Sequence, residues 1–298
     1  MNTNIRGLGV ALVTPFTSKG EVDFGALNRL VRHVSEGGVD YLVVLGTTAE
    51  TPTLSATERD TIVEYVKKCN GGKLPIVAGI GGNDTAEIVR RIKSSNLNGV
   101  EAILSVAPYY NRPSQRGLYE HYKALAQASP IPLILYNVPA RTGTNMLPET
   151  TLRLAHDFSN ICAIKEACGN IGQMKEILDG RPDGFMVLSG DDALAVPLIS
   201  EGGEGVISVV ANAFPLFASK IVKAAFDGDE KMLGELYPLF EKTIKLAFAE
   251  GNPTGVKAAL TLRGIIDNRL RLPLVEASDE LIASMRAAVK EVKEAGIF

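Results

Sequence analysis

Ile161-Cys-Ala-Ile-Lys-Glu-Ala167 is a short apolar segment that carries a single lysine near its C-terminal end. Its first four residues are apolar at every position, which is the pattern of a parallel strand covered by helices on both faces. A lysine ammonium is costly in such surroundings unless it is paired or loses its proton. Lys165 is therefore either a structural lysine or a catalytic amine, and this segment alone leaves both interpretations open.

The same strand pattern recurs on either side of this segment. Apolar strands alternate with segments of helical periodicity, giving eight strand–helix units between residues 7 and 226. Their number and spacing predict an α/β fold, a (β/α)8 TIM barrel, better than an open doubly wound sheet. The predicted strands cover residues 7–16, 41–45, 74–78, 100–107, 131–137, 161–167, 185–189 and 205–209.

The C-terminal part of the chain lacks this alternation. Residues 229–298 contain only helical patterns, with breaks at Gly251-Asn-Pro253 and near Pro273. We predict a barrel catalytic domain over residues 1–228 and a C-terminal helical extension over residues 229–298, packed on the barrel rather than folded as an independent module.

Composition excludes several classes of function. The net charge is −3 and no basic run is present, which argues against a nucleic-acid partner. The three cysteines, Cys69, Cys162 and Cys168, are odd in number and lack the spacing of zinc ligands. The N-terminus shows no secretory leader, and no apolar run approaches the ~18 residues that span a bilayer. These features predict a cytoplasmic protein without a membrane partner.

Catalytic residues of such barrels lie at the C-terminal ends of the strands, and Lys165 falls in this ring. The three histidines, His33, His121 and His156, instead fall on predicted outer helices, so we expect no metal site. The loop Ser189-Gly-Asp-Asp192 carries two carboxylates that would repel a phosphate. The position of Lys165 thus favours a catalytic amine.

An amine, a phenol and hydroxyls remain in the predicted ring. A lysine amine that loses its proton can attack a ketone and form a Schiff base, which then acts as an electron sink. Tyr136, at the end of the fifth strand, is placed to move protons, although it is alternatively a buried, hydrogen-bonded hydroxyl. Thr47 and Thr48 offer hydroxyls and backbone amides to a carboxylate, or alternatively stabilise the turn after the second strand.

Three motifs together resemble the family of pyruvate-dependent class I lyases, which includes dihydrodipicolinate synthase and N-acetylneuraminate lyase. They are Gly46-Thr-Thr-Ala-Glu50, Tyr136-Asn-Val-Pro-Ala-Arg-Thr-Gly143 and Ile164-Lys-Glu166. The resemblance covers essentially the whole chain. It is nearest to the branch that condenses pyruvate with L-aspartate 4-semialdehyde to 4-hydroxy-tetrahydrodipicolinate in lysine (diaminopimelate) biosynthesis, and it implies a lyase that uses no cofactor.

The resemblance implies a role for each matching residue. Lys165 would form the Schiff base, and Tyr136 would relay protons. Thr47 would connect this phenol to Tyr110, which the family takes from a neighbouring subunit. The borrowed Tyr110 implies a homo-oligomer, at least a dimer, and the family commonly forms a dimer of dimers.

The remaining matches concern substrate binding. Thr48 would bind the pyruvate carboxylate, while Gly190 and Ile207 would line the aldehyde pocket. Arg141 would hold the carboxylate of aspartate semialdehyde, since a guanidinium clamps a carboxylate through two hydrogen bonds. The sugar-acid relatives lack this arginine, which argues against the alternative function, a lyase acting on a 2-keto-3-deoxy sugar acid or N-acetylneuraminate. A second alternative is a non-catalytic barrel that binds a keto acid.

One departure from the family pattern lies in the turn after the second strand. Ala49 stands where the family has glycine. If that turn requires a positive φ, alanine costs about 1 kcal/mol.

A second departure concerns regulation. Asn83, Glu87 and Tyr109 match an allosteric lysine site of the family, although Glu87 also fits a helix-capping box that begins at Asp84. Ala56 and Arg59 stand where inhibited members often carry histidines, and Arg59 would repel the ammonium groups of lysine. We therefore hypothesise weak or absent inhibition by lysine.

Overall fold

The computed structural model describes Thr3 and residues 5–298. Within these residues, eight parallel strands form a closed barrel in the order of the sequence, which confirms the predicted (β/α)8 fold. The strands are β1 Gly7–Ala11, β2 Tyr41–Val44, β3 Ile76–Gly79, β4 Ala102–Val106, β5 Leu133–Asn137, β6 Ile161–Glu166, β7 Met186–Ser189 and β8 Gly205–Ser208.

Helices follow the strands and continue to the C-terminus. They are α1 Phe24–Glu36, α2 Ala56–Asn70, α3 Thr85–Ser94, α4 Gln115–Ala128, α5 Pro139–Thr142, α6 Pro148–Asp157, α7 Ile171–Gly180, α8 Ala195–Ser200, α9 Pro215–Asp227, α10 Glu230–Phe248, α11 Thr254–Leu262 and α12 Asp279–Glu294. Within the described ranges, no helix is long and apolar enough to cross a membrane.

The chain divides into two compact units, which we describe separately. The first comprises residues 1–6 and 75–207. Its strands β3 to β7 pair in parallel, and Tyr136 of β5 lies opposite Lys165 of β6, which lies opposite Leu188 of β7. Leu, Ile and Val side chains of these strands and of helices α3, α4, α6 and α7 form one buried core. This core includes residues of β5 and β6, the strands that carry Tyr136 and Lys165.

The second unit comprises residues 7–74 and 208–298. Strands β1 and β2 pair in parallel here, with Val10 opposite Leu42. The buried side chain of Asn212 accepts a hydrogen bond from the Val13 amide (3.0 Å) and donates one to the Ala11 carbonyl (2.7 Å). The C-terminal helices α10, α11 and α12 pack on one another within this unit. The domain boundary at residues 228/229 stays a prediction.

Two local details differ from the sequence prediction. The first strand ends at Ala11, whereas the prediction extended it to Phe16; Phe16 instead forms an isolated bridge with Val22. The prediction had also missed α5, the short helix that begins at Pro139 and ends before Gly143, whose φ is 74°. Proline suits the first helical turn and glycine the left-handed position that ends it, so the signal for this helix was present in the sequence.

Candidate active site

Tyr136 and Lys165 form the centre of the candidate site in the first unit. They are register partners at the C-terminal ends of β5 and β6, so their side chains leave the sheet on the same face. The Lys165 Nζ lies 4.3 Å from the centroid of the Tyr136 ring. Lys165 is only 4% exposed and Tyr136 only 5%. The strand pairing therefore brings an amine and a phenol together in a buried position.

Lys165 has no hydrogen bond or ion pair with any residue that the structure describes. The carboxylate nearest to it in sequence, Glu166, leaves β6 on the opposite face, as successive strand residues do. No protein acceptor thus occupies the Lys165 amine, which leaves it available to react with a ligand.

Gly190 provides the space beside Lys165. A Cβ atom placed on Gly190 would lie 3.0 Å from the Lys165 Cε and 2.8 Å from the Ala167 Cβ, closer than side chains tolerate. The Gly190 amide also donates a 2.7 Å hydrogen bond to the Glu166 carbonyl, which fixes the start of the loop after β7. Any larger residue at this position would displace the lysine.

Glu166 is the centre of a buried network behind the amine–phenol pair. Its carboxylate accepts hydrogen bonds from the side chains of Asn137 (3.0 Å) and Gln173 (3.1 Å) and from the Cys168 amide (2.9 Å). Burial raises the pKa of Glu166, and these donors oppose the shift. The network joins the ends of β5, β6 and α7 and thereby fixes the strands that carry Tyr136 and Lys165.

Cys168 lies beside this network, and its thiol is unsuited to nucleophilic chemistry. Burial and the neighbouring Glu166 raise the pKa of Cys168 to about 12. A thiol that keeps its proton is a poor nucleophile. This position therefore suits a packing role better than a catalytic one.

Arg141 lies on α5, the short helix that follows β5. Its side chain is exposed, and among the described residues it has no carboxylate partner. Asn137 begins this segment and anchors it, because its Oδ1 accepts a 3.0 Å hydrogen bond from the Met146 amide. An anchored helix with a free guanidinium can bind a carboxylate from solution.

The segment after β4 carries two exposed aromatic rings. Tyr110 is 90% exposed and has a φ of 72°, a conformation that non-glycine residues rarely adopt. Tyr109 is 38% exposed, and its carbonyl accepts a 3.2 Å hydrogen bond from the Asn83 side chain. The structure therefore brings Asn83 and Tyr109 together.

Glu87 does not complete the predicted capping box. Asp84 caps α3 by accepting from the Ala86 amide at 2.9 Å, but the Glu87 carboxylate pairs with Arg90, one turn further along the helix. The i,i+3 cation competes for this carboxylate, and the sequence signature did not include it.

The three histidines do not form a metal site in the part of the chain that the structure describes. Within the described ranges, no group of three or more His, Cys, Asp or Glu side chains could hold a metal ion. His121 is buried on α4 with its Nδ1 2.8 Å from the Thr85 hydroxyl, and burial lowers its pKa to about 4. It is therefore a neutral, structural residue at neutral pH.

In the second unit, Thr47–Ala49 form a 3-10 turn directly after β2. Ala49 lies inside this turn, and the left-handed residue is Glu50, with a φ of 55°. The strain considered for alanine is therefore absent, because the turn places its positive φ one residue later. Thr48 is buried, and its hydroxyl accepts a 2.9 Å hydrogen bond from the Asn252 side chain.

Glu50 forms an ion pair that is completely buried. Its Oε1 lies 2.5 Å from the Lys257 Nζ on α11, and both side chains are 0% exposed. Burial lowers the pKa of Lys257 to about 8, although the attraction of Glu50 opposes this shift. Lys257 also donates a 2.8 Å hydrogen bond to the Arg269 carbonyl.

Comparison with known proteins identifies the family. The model of the dihydrodipicolinate synthetase family matches residues 4–292. The chain belongs to this family.

Individual members share almost its whole length. The 4-hydroxy-tetrahydrodipicolinate synthase of Parabacteroides distasonis is 48% identical over 97% of each chain. The chloride-inhibited dihydrodipicolinate synthase from Acinetobacter baumannii, solved in complex with pyruvate, superimposes with a TM-score of 0.93 at 39% identity, covering 99% of this chain and 100% of that one. A monomeric dihydrodipicolinate synthase variant gives 0.93 at 41% identity, with 98% and 97% covered. This member of the dihydrodipicolinate synthetase family is thus a lyase-type enzyme of the class I aldolase group.

Sequence reasoning missed the polar residues that hold the site residues in place. They are Asn137, Glu166 and Gln173 in the first unit and Asn252 and Lys257 in the second. A signal was available for Lys257, since it is the one charged residue in the apolar segment Thr254-Gly-Val-Lys-Ala-Ala-Leu260. The cost of burying an ammonium applies to Lys257 as it does to Lys165.

Proposed function

We propose that this chain condenses pyruvate with L-aspartate 4-semialdehyde to 4-hydroxy-tetrahydrodipicolinate, a step of lysine (diaminopimelate) biosynthesis, in the cytoplasm. The observation that carries the proposal is the buried Lys165 amine, which lies over the Tyr136 ring and has no protein acceptor among the described residues. A buried lysine without an anion is costly, so a chemical use explains its presence. The relatives named as 4-hydroxy-tetrahydrodipicolinate synthase support the choice of substrates.

The proposed reaction begins at the Lys165 Nζ. The amine attacks the keto carbon of pyruvate, and loss of water gives the imine. Tyr136 assists removal of a methyl proton, which yields the enamine, and the enamine carbon attacks the aldehyde carbon of the second substrate. The amine of the product then displaces Lys165 as the ring closes. Holding both substrates makes the carbon–carbon bond formation nearly unimolecular.

The other predicted site residues complete the proposal. Thr48 binds the pyruvate carboxylate, and Thr47 passes protons between Tyr136 and Tyr110. Arg141 binds the carboxylate of the aldehyde, which its exposed guanidinium supports. Gly190 and Ile207 line the aldehyde pocket; Gly190 contacts the lysine side chain closely, and Ile207 is fully buried on β8.

We further propose that the protein is a homo-oligomer, a dimer of dimers. The 90% exposed ring of Tyr110, held in a strained backbone conformation, supports insertion into a partner subunit. Sedimentation velocity measures the assembly directly. A monomer with full activity would contradict the transfer of Tyr110 between subunits, and the similarity to a monomeric variant makes this measurement necessary.

Inhibition by lysine is proposed to be weak or absent. Asn83 and Tyr109 are in contact, but the neighbouring Glu87 carboxylate already pairs with Arg90. This pairing competes with the ammonium group of an incoming lysine. Steady-state assays with lysine test the proposal, and inhibition at micromolar concentration would contradict it.

The decisive experiment for the main function is borohydride reduction in the presence of pyruvate, followed by intact-mass measurement and peptide mapping. We expect one reduced pyruvate adduct per chain, on Lys165. The matched control is Lys257→Met, which removes the other buried lysine. No adduct in the folded wild type, or an adduct elsewhere, would reject the Schiff-base mechanism. Turnover of a 2-keto-3-deoxy sugar acid but not of aspartate semialdehyde would favour the alternative lyase.

A further inference from the structure

The Gly46–Glu50 turn is the segment to which we assign the carboxylate of pyruvate. Turns that follow a barrel strand rearrange more easily than the strand itself, because their residues lack the ladder of hydrogen bonds that fixes the strands. This one is held by side chains. Thr14 donates a 2.7 Å hydrogen bond to the Ala49 carbonyl, and the Thr51 hydroxyl donates one of 2.9 Å to the Gly46 carbonyl.

The strongest contacts to the turn come from the C-terminal extension. Lys257 pairs with Glu50 at 2.5 Å, and the Arg271 amide donates a 3.0 Å hydrogen bond to the other oxygen of the same carboxylate. Asn252 donates to the Thr48 hydroxyl at 2.9 Å. Lys257 and Arg271 of the extension therefore contact Glu50, and Asn252 contacts Thr48.

Arg271 adds a second connection. Its guanidinium donates to the Thr53 carbonyl at 2.8 Å and pairs with Glu58 at 2.5 Å, at the start of α2. Glu58 also completes the capping box of that helix with Ser55. The residues that follow the turn, up to the start of α2, are thus tied to the same extension.

The geometry points to a positioning role for the C-terminal extension: Lys257, together with Asn252 and Arg271, fixes the Gly46–Glu50 turn in the conformation that receives the carboxylate of a 2-oxo acid. The inference rests on the proposed function for the nature of the ligand. It does not make these three side chains catalytic, because they act on the turn and not on the reacting atoms.

The physical reason is the cost of a misplaced buried charge. Removing Lys257 leaves the Glu50 carboxylate unpaired in a position that is 0% exposed. Such a charge recovers its solvation only if the turn moves toward water, and Thr48 moves with it. The substrate carboxylate then binds more weakly to the turn. Because this contact is the same in the ground state and in the transition state, KM rises and kcat stays nearly unchanged.

The test compares wild type with Lys257→Met. The matched control is Lys242→Met, which breaks the exposed pair of Lys242 and Glu291 in the same extension. We expect Lys257→Met to raise the KM for pyruvate about 10-fold with kcat within about 2-fold, and the control to change neither. Hydrogen exchange of the peptide covering residues 46–54, measured without pyruvate, is expected to become at least about 10-fold faster in Lys257→Met alone.

The double variant Glu50→Gln/Lys257→Met removes both charges. It serves as the folded protein for the test if Lys257→Met alone does not fold. It is expected to recover slow exchange in the turn at least in part, because no buried charge remains unpaired. Unchanged exchange in Lys257→Met, or faster exchange with an unchanged KM, overturns the inference. A wild type that forms no pyruvate adduct rejects the proposed function instead, and the exchange result still decides whether the extension holds the turn.

Discussion

Two buried lysines, one in each compact unit, show how the same side chain serves different purposes. Lys165 is 4% exposed and lies 4.3 Å from the Tyr136 ring centroid, whereas Lys257 is fully buried and lies 4.4 Å from the Phe16 ring centroid. Lys257 has a carboxylate and a carbonyl as partners. Lys165 has neither among the described residues.

This difference separates an ammonium that supports structure from an amine that is free to react. Burial and contact with an aromatic ring do not distinguish the two lysines. The presence of an anion does, because only a paired charge is tolerated in the interior without a chemical use. Three of the following four predictions test this contrast, and the one for Arg141 tests the binding of the aldehyde that the enamine is proposed to attack.

The largest effect is expected from Lys165→Met. We expect a loss of at least about 10³-fold in the rate of condensation and complete loss of the borohydride adduct, because the imine cannot form without the amine. Lys257→Met should still form the adduct at saturating pyruvate. Intact-mass measurement of both variants checks this contrast. A borohydride adduct that still forms in Lys165→Met would contradict it.

Arg141→Ala is expected to lower kcat/KM for aspartate semialdehyde by about 10²-fold, since a charge-assisted, two-point contact with a carboxylate is worth about 1.5–3 kcal/mol. The pyruvate concentration that half-saturates borohydride trapping should change by no more than about 2-fold, because Arg141 acts on the second substrate. Arg112→Ala is a suitable control, since Arg112 is a nearby exposed arginine whose Nε donates to the Gly143 carbonyl. Equal losses in the two variants would contradict a specific role for Arg141.

The two lysines should differ in the opposite order when stability is measured: Lys257→Met should lower Tm, and Lys165→Met should not. Lys257→Met is expected to cost about 3–5 kcal/mol by leaving Glu50 unpaired, which lowers Tm by roughly 10 °C. Lys165→Met is expected to leave Tm unchanged or to raise it, because it replaces an unpaired buried amine with an apolar side chain of similar length. Thermal unfolding followed by circular dichroism measures both variants. A lower Tm in Lys165→Met would show that this lysine is structural.

The smallest effect concerns pH. Burial lowers the pKa of Lys257 from 10.5 to about 8, so the pair with Glu50 is intact below pH 8 and is lost as pH rises through this value. Glu50 and Arg271 are the charged groups that face Lys257, and Arg271 is itself paired with Glu58. We expect the ratio of the pyruvate KM of Lys257→Met to that of wild type to fall from about 10 toward 1 between pH 7 and pH 9.

This change should occur without unfolding. Between pH 8 and 10.5 the unfolded chain binds more protons at Lys257 than the folded chain, so the contribution of Lys257 to stability rises with pH in this window. The Tm of wild type relative to Lys257→Met should therefore not fall there. A KM ratio that is independent of pH would contradict a role for the charge of Lys257.

Much of the fold could be predicted because hydrophobic periodicity is a local property. The eight strand–helix units and the place of Lys165 at the C-terminal end of a strand follow from neighbouring residues. The end of β1 at Ala11 could not be predicted in this way. Just beyond it, the Val13 amide donates to the side chain of Asn212, which lies 199 residues later in the sequence.

Residue type and spacing are sufficient to predict the barrel, the ring of strand ends and the candidate amine, phenol and guanidinium. The pairing of the buried charges, in contrast, depends on the folded chain. Glu50 and Lys257 are 207 residues apart, and Thr48 and Asn252 are 204 apart. No local pattern encodes such contacts, because they form only when the chain has folded and the desolvation of each charge depends on what then lies against it.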